Sequence, residues 1–347
     1  MKILFLSHSF FPFIGGIEVI SEMLCKSFTA AGHEVHLLTW TEDANNTPLP
    51  FKIIRCPNYI QLLQEHAWAD MVFENNPCLR LSWPSIFFKK PSVIALQTWI
   101  SRTNGKIAIQ DRLKLKWLKR AAHVIAVSDA VQRACFPAAT VIGNPYRAEE
   151  FKLQEGKRHK DFLFLGRLVD DKGADLAIKA IHQLEEKHSL TIIGEGPELD
   201  NLKQLTKKLG IEDRVIFTGP LRGEALVDCL NQHRYMLVPS MWQEPFGIVA
   251  LEGIACGCLP IVSDGGGLPD AVGRAGLTFK RGDLNALVAC IKNITANPLT
   301  EIKIRAAAQQ HLINFHPNQI IGEYLKIIES INQPQSLHES TYITSYK

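Results

Sequence analysis

Tyr235-Met236-Leu237-Val238-Pro239-Ser240 leads through a short loop into Glu244-Pro245-Phe246-Gly247-Ile248-Val249-Ala250-Leu251-Glu252. The first run is apolar, short and ended by Pro-Ser, the pattern of a buried strand leaving a sheet. The second run starts a helix whose apolar positions Ile248, Val249, Leu251 and Ile254 pin it into a core. Gly247 allows close backbone approach of a ligand, and the free N–H groups at the helix start suit an anion. Glu244 falls in the loop before that anion site and Glu252 more than one turn inside the helix. A nucleotide-sugar has the same layout: its diphosphate takes the helix N-terminus, one carboxylate accepts from sugar hydroxyls and the other from ribose hydroxyls. Helix capping and surface solvation account for the same spacing.

Working outward, apolar runs alternate with amphipathic stretches along nearly the whole chain. Lys2-Ile3-Leu4-Phe5-Leu6, Val35–Thr39, Phe51–Ile54, Met71–Phe73, Val93–Leu96, Val124–Val127 and Thr140–Ile142 form one series. A second comprises Phe162–Leu165, Leu190–Ile193, Val215–Phe217, Tyr235–Val238, Pro260–Val262 and Leu277–Phe279. This is the rhythm of α/β folding, and it predicts two Rossmann-like doubly wound parallel sheets facing a cleft. The charged stretch from Ala148 to Asp161 interrupts the rhythm as a linker. Residues 1–150 and 151–310 are therefore expected as two domains, with 311–331 as a helix and the polar tail 332–347 as disordered.

Two further clusters sit at expected strand ends, where such sheets bind ligands. Phe162–Leu165 runs into Gly166-Arg167-Leu168-Val169-Asp170-Asp171-Lys172-Gly173, and the first run, Lys2–Leu6, leads towards Phe11-Pro12-Phe13-Ile14-Gly15-Gly16-Ile17-Glu18. Two fixed cations stabilise a departing nucleoside diphosphate where another protein would use a metal ion. The chain has no Asp-x-Asp, so neither a metal nor another cofactor is expected. Adjacent glycines at 15 and 16 permit backbone approach that any side chain would block, although a turn also uses glycine.

From Ser240 to Asp270 the chain resembles the signature region of retaining GT-B glycosyltransferases of family 4, with Glu244 and Glu252 matching its Glu-x7-Glu motif. The match continues through Gly253–Ser263 and the glycine turn Gly265-Gly266-Gly267-Leu268-Pro269-Asp270, where the family often has Glu at the last position. It also covers Gly166, Arg167 and Lys172, and the Gly15-Gly16 pair. The likeness spans nearly the whole chain, strongest from Phe162 to Asp270 and weakest from Asn45 to Ser101.

This resemblance implies a retaining transferase acting on a nucleotide-sugar, UDP- rather than GDP-linked, with a glycan or lipid-linked acceptor bound in the N-terminal domain. It implies Arg167, Lys172 and Glu244 as catalytic residues. Donor contacts would come from Gly15, Gly16, Gly166, Gly194, Gly219, Phe246, Gly247, Ile248 and Glu252. It further implies that the last helix crosses back to the N-terminal domain. Many family members carry a His near the end of an N-domain strand; alignment puts Gln97 there, a group that cannot titrate. Gln97 and His8 are thus candidate sugar or acceptor contacts, and His123 is a further candidate. A nucleotide-sugar epimerase, or a noncatalytic partner subunit that binds sugar nucleotide, are the rival readings.

Composition fits this picture. The chain has 347 residues, 46% hydrophobic, and a net charge of +3, which suits a two-domain globular protein. Its eight cysteines contain no Cys-x-x-Cys, so reduced thiols and a cytoplasmic location are expected. No apolar run of about 20 residues marks a membrane span. From Arg80 to Arg120, basic residues outnumber a single acid, Asp111, and Trp83, Phe87, Phe88, Trp99 and Trp117 lie among them. A basic aromatic surface of this kind predicts peripheral contact with anionic phospholipid on the inner face of the plasma membrane, and a solvated basic face accounts for the charge as well. No recognition motif for nucleic acid accompanies it.

Overall fold

In the computed structural model, which describes residues 1–13, 15–43, 48–101, 107–156 and 158–332, the apolar runs become thirteen strands in two sheets. The first contains β1 (Lys2–Ser7), β2 (Glu34–Thr39), β3 (Lys52–Arg55), β4 (Met71–Asn75), β5 (Ser92–Leu96), β6 (His123–Ala126) and β7 (Thr140–Val141). Their order is β3-β2-β1-β4-β5-β6-β7, with every pairing parallel. The second contains β8 (Lys160–Leu165), β9 (Leu190–Ile193), β10 (Val215–Gly219), β11 (His233–Val238), β12 (Leu259–Ser263) and β13 (Leu277–Phe279). Its order is β10-β9-β8-β11-β12-β13, again parallel throughout.

Both orders place a switch point beside the first strand of the sheet, between β1 and β4 and between β8 and β11. Helices cover both faces, so central strands read as continuous apolar runs rather than alternating ones. Ile3 to Leu6 and Tyr235 to Leu237 are almost completely buried for this reason. The expected disordered tail lies outside the described residues, apart from the last residue of the terminal helix.

The last described helix, Pro317–Asn332, packs on the first sheet. Ile320, Tyr324 and Ile328 are buried with Phe5, Phe28 and Phe73. Another apolar cluster spans both halves, joining Leu96, Val127, Tyr146 and Phe151 to Met236, Phe246 and Leu251. Polar contacts reinforce it: the Trp99 indole N–H donates to the Gln243 carbonyl at 2.7 Å, and the Asp129 amide donates to Asp270 at 2.9 Å. The carboxyl ends of the central strands therefore open into one shared cleft.

Candidate active site

The cleft holds a cavity of about 680 Å³ lined from both sheets. Gly15, Gly16, Gln97, Gly166, Arg167, Lys172, Glu244, Phe246, Gly247, Ile248 and Glu252 all reach it. Residues nearly 240 positions apart are thus gathered by the strand order alone.

Two helix N-termini border this space. The helix Gly16–Ala30 starts at the glycine pair, and the helix Ile248–Ala255 starts after Gly247. Gly247 has φ of +125°, and a Cβ there would lie 2.5 Å from Leu268 Cδ2, so backbone conformation and space both require glycine. Unpaired N–H groups and the helix dipoles give this space a positive character before any side chain is counted.

Lys172 ends a turn after β8, and its ammonium forms an ion pair with Glu244 Oε1. The same oxygen accepts from Ser240 Oγ at 2.9 Å. The pair is set by a backbone clasp, since the amides of Met241 and Trp242 donate to the Asp171 carbonyl at 2.8 and 3.0 Å. Gly173, at φ +73°, allows that approach, because a Cβ would stand 2.1 Å from the Pro239 carbonyl oxygen. Lys172 also lies 5.5 Å over the Trp242 ring. On its other side Glu244 is fixed through its carbonyl, which accepts from Gly267 N at 2.7 Å.

Glu252 is 6% exposed. Burial pushes its carboxyl up to about 7, against the pull of Arg147 and with a smaller push from Glu150. Arg147 Nε and Nη2 both donate to Glu252 Oε1, at 3.1 and 3.0 Å. Sequence reasoning did not select Arg147, nor Asn144, which lines the same cavity. Asn144 Oδ1 and both side-chain polar atoms of Gln97 are buried without a protein hydrogen-bond partner. Such orphaned groups in a cavity wall are the natural contacts of a polyhydroxyl ligand.

Four expected contacts lie outside the cavity lining. Gly194 and Gly219 stand behind it: the Gly194 amide donates to the Gly219 carbonyl at 3.0 Å, and a Cβ on Gly194 would meet the Gly166 carbonyl oxygen at 1.9 Å. They shape the loop that carries Arg167. His8, exposed just beyond the end of β1, is held below its usual pKa chiefly by partial desolvation of the ring, with Arg80 and Lys114 acting in the same direction. Its Nδ1 lies 3.8 Å from Cys78 Sγ. His123 binds Thr140 Oγ1 at 2.9 Å. Among the described residues no group of three or more His, Cys, Asp or Glu is arranged to hold a metal ion.

Residues 146–311 match the sequence model of the glycosyl transferases group 1 family. The chain carries a glycosyl transferases group 1 domain. Its fold is GT-B, and HepE of Anabaena, in a structure described as a complex with UDP, superposes on 95% of this chain and 100% of its own with a TM-score of 0.82 at 21% identity. Among curated relatives, an uncharacterized glycosyltransferase of Methanocaldococcus jannaschii is 38% identical over 115 residues, 33% of this chain and 29% of that one. A glycogen synthase of Mycobacterium tuberculosis is 32% identical over 258 residues, 70% of this chain and 59% of that one. The chain thus spans less than two thirds of both. The group 1 domain includes Arg147, Arg167, Lys172, Glu244 and Glu252, leaving Gly15, Gly16 and Gln97 to the N-terminal half.

Proposed function

We propose that the chain is a retaining glycosyltransferase. It moves a hexose or N-acetylhexosamine from a UDP-sugar to a hydroxyl of a glycan or lipid-linked acceptor, in cell-surface polysaccharide or lipopolysaccharide synthesis. The observation that carries this reading is the convergence of the Lys172–Glu244 pair, Arg167, Glu252 and two helix N-termini on one interdomain cavity. HepE, described in complex with UDP, makes UDP the favoured nucleotide.

The donor diphosphate lies between Gly15-Gly16 and the start of the Ile248–Ala255 helix. Arg167 and Lys172 stabilise the charge that develops as the bond to the sugar breaks. Glu244, fixed by Lys172 and Ser240, accepts from sugar hydroxyls, and Gln97 and Asn144 supply further contacts. Glu252 accepts from the ribose. The acceptor hydroxyl attacks from the side of the leaving diphosphate, a front-face course that retains the anomeric configuration and involves no covalent enzyme nucleophile. Closure of the cleft keeps water from consuming the donor. The acceptor approaches from the N-terminal half, whose basic, aromatic face rests on anionic membrane.

Thermal shift and product NMR with a panel of UDP- and GDP-sugars, with and without EDTA, test the proposal beside Glu244→Gln. One donor is expected to stabilise the wild type, to do so equally in EDTA, and to be hydrolysed slowly with its anomeric configuration retained. An epimerised donor, or a donor bound but unchanged in the presence of every acceptor tried, would overturn it in favour of an epimerase or a noncatalytic subunit.

A further inference from the structure

Arg147 is placed to do more than neutralise a neighbour. It lies on the segment that leaves the first sheet after β7 and enters the second at β8, and so on the connection between the two halves. Its guanidinium is held on three sides. Nε and Nη2 converge on Glu252 Oε1, Nη1 donates to Glu150 Oε2 at 2.7 Å, and the Phe151 ring lies beneath at 4.6 Å. Only one oxygen of Glu252 is thereby used. Oε2 takes no protein hydrogen bond among the described residues, while Glu252 lines the cavity.

We infer that Arg147 is a positioning residue that fixes one oxygen of Glu252 and aims the other at the ribose of the donor, so that losing the guanidinium loosens the grip on the nucleoside. The inference rests on the donor reading given above. A carboxylate accepts two hydroxyl bonds, whereas its protonated form must use one oxygen as a donor. The groups facing this carboxyl are few: Arg147 holds it charged, while burial and Glu150 oppose ionisation. Cys256 follows one turn later, with its own thiol pushed up to about 12, chiefly by burial, so it adds no charge at neutral pH. Loss of the guanidinium therefore moves ionisation of Glu252 to higher pH.

Calorimetric titration of the full chain with UDP and with 2′,3′-dideoxy-UDP, from pH 6 to pH 9, tests this. The terminal phosphate titrates identically in both ligands, so the ratio of their affinities isolates the ribose contact. In the wild type the preference for UDP is expected to grow about tenfold with a midpoint near neutrality, the worth of one charge-assisted hydrogen bond. In Arg147→Gln the midpoint moves up by a unit or more and the preference at pH 7 falls to near one. Arg147→Lys, which keeps the charge but not the fork, falls between. An unchanged midpoint and preference in Arg147→Gln, or in Arg147→Lys should the first variant not fold, would overturn the inference. A wild type that binds UDP but never distinguishes it from the dideoxy form overturns the ribose role and leaves the donor site standing. Failure to bind either nucleotide overturns both.

Discussion

At the scale of single residues, the site depends on charges held where folding alone would not put them. Lys172 and Glu244 form a half-buried pair with a third contact from Ser240. Lys172→Ala removes the cation that the proposed reaction sets against the leaving diphosphate, and on that proposal kcat for donor turnover is expected to fall about 100-fold or more, with circular dichroism unchanged and KM moved far less. Glu252 gives a second prediction, on stability. Its folded carboxyl titrates at about 7 against an ordinary 4.5, so between these values the folded state keeps a proton that the unfolded chain has lost. Stability therefore falls as pH rises through that window. The full effect is roughly 3 kcal/mol at about 1.4 kcal/mol per unit. Glu252→Gln is expected to flatten the decline in urea-unfolding free energy between pH 5 and pH 8. Because Glu74 is likewise raised to about 7 by burial, the wild-type minus variant difference, rather than the raw slope, carries the test. Arg147 was invisible in the sequence for a simple reason: it lies 105 positions from the carboxylate it holds, and no local pattern encodes that pairing. Asn144 escaped notice likewise, since only burial without a partner marks it.

At the scale of elements, strands were legible because a parallel sheet covered on both faces demands uninterrupted apolar runs, and each of the thirteen runs became a strand. The loops were less so. Gly15-Gly16 and Gly247 reach the cavity, whereas Gly194 and Gly219 support it from behind, a distinction fixed by neighbouring backbone that glycine spacing does not record. Gly247→Ala tests the start of the Ile248–Ala255 helix. At φ +125° an alanine is strained, and its Cβ meets Leu268. A loss of roughly 1–3 kcal/mol is expected, together with weaker binding of nucleoside diphosphate, as the helix start shifts away from its anion. Preserved binding at full affinity would show that these N–H groups do not hold the diphosphate. The terminal helix makes a separate case. Ile328 is wholly buried on the first sheet, and Ile328→Ala should cost about 2–5 kcal/mol, read as a lower midpoint in urea.

At the scale of the whole molecule, the N-terminal half carries an exposed apolar and aromatic patch. Tyr59, Ile60 and Leu63 of the helix Tyr59–Trp68 are exposed, and so are Ile86 and Phe87 of the short helix Ser85–Phe88. Trp83 joins the two groups, with its ring 6.5 Å from Tyr59 and 6.1 Å from Phe87. Arg80, Lys89 and Lys90 flank them. The one acid in the basic region, Asp111, is buried and accepts from the Ala108 amide, so no exposed carboxylate interrupts the positive charge among the described residues from 80 to 120. Helix Tyr59–Trp68 lies outside that basic stretch, and only the fold shows that it extends the aromatic face. No described helix is long and apolar enough to cross a membrane. Aromatic insertion and phosphate attraction contribute jointly to binding at a membrane surface. Full-length protein is expected to float with phosphatidylglycerol vesicles and less well with phosphatidylcholine alone, the difference shrinking as salt is raised. Tyr59→Ser with Phe87→Ser removes the inserted rings and is expected to weaken flotation about tenfold without altering donor turnover on a water-soluble acceptor. Lys89→Glu with Lys90→Glu should abolish the preference for anionic lipid while leaving the rings in place. Equal flotation of both variants and the wild type would assign these residues to the solvated surface, and the acceptor would then have to reach the cleft by another face.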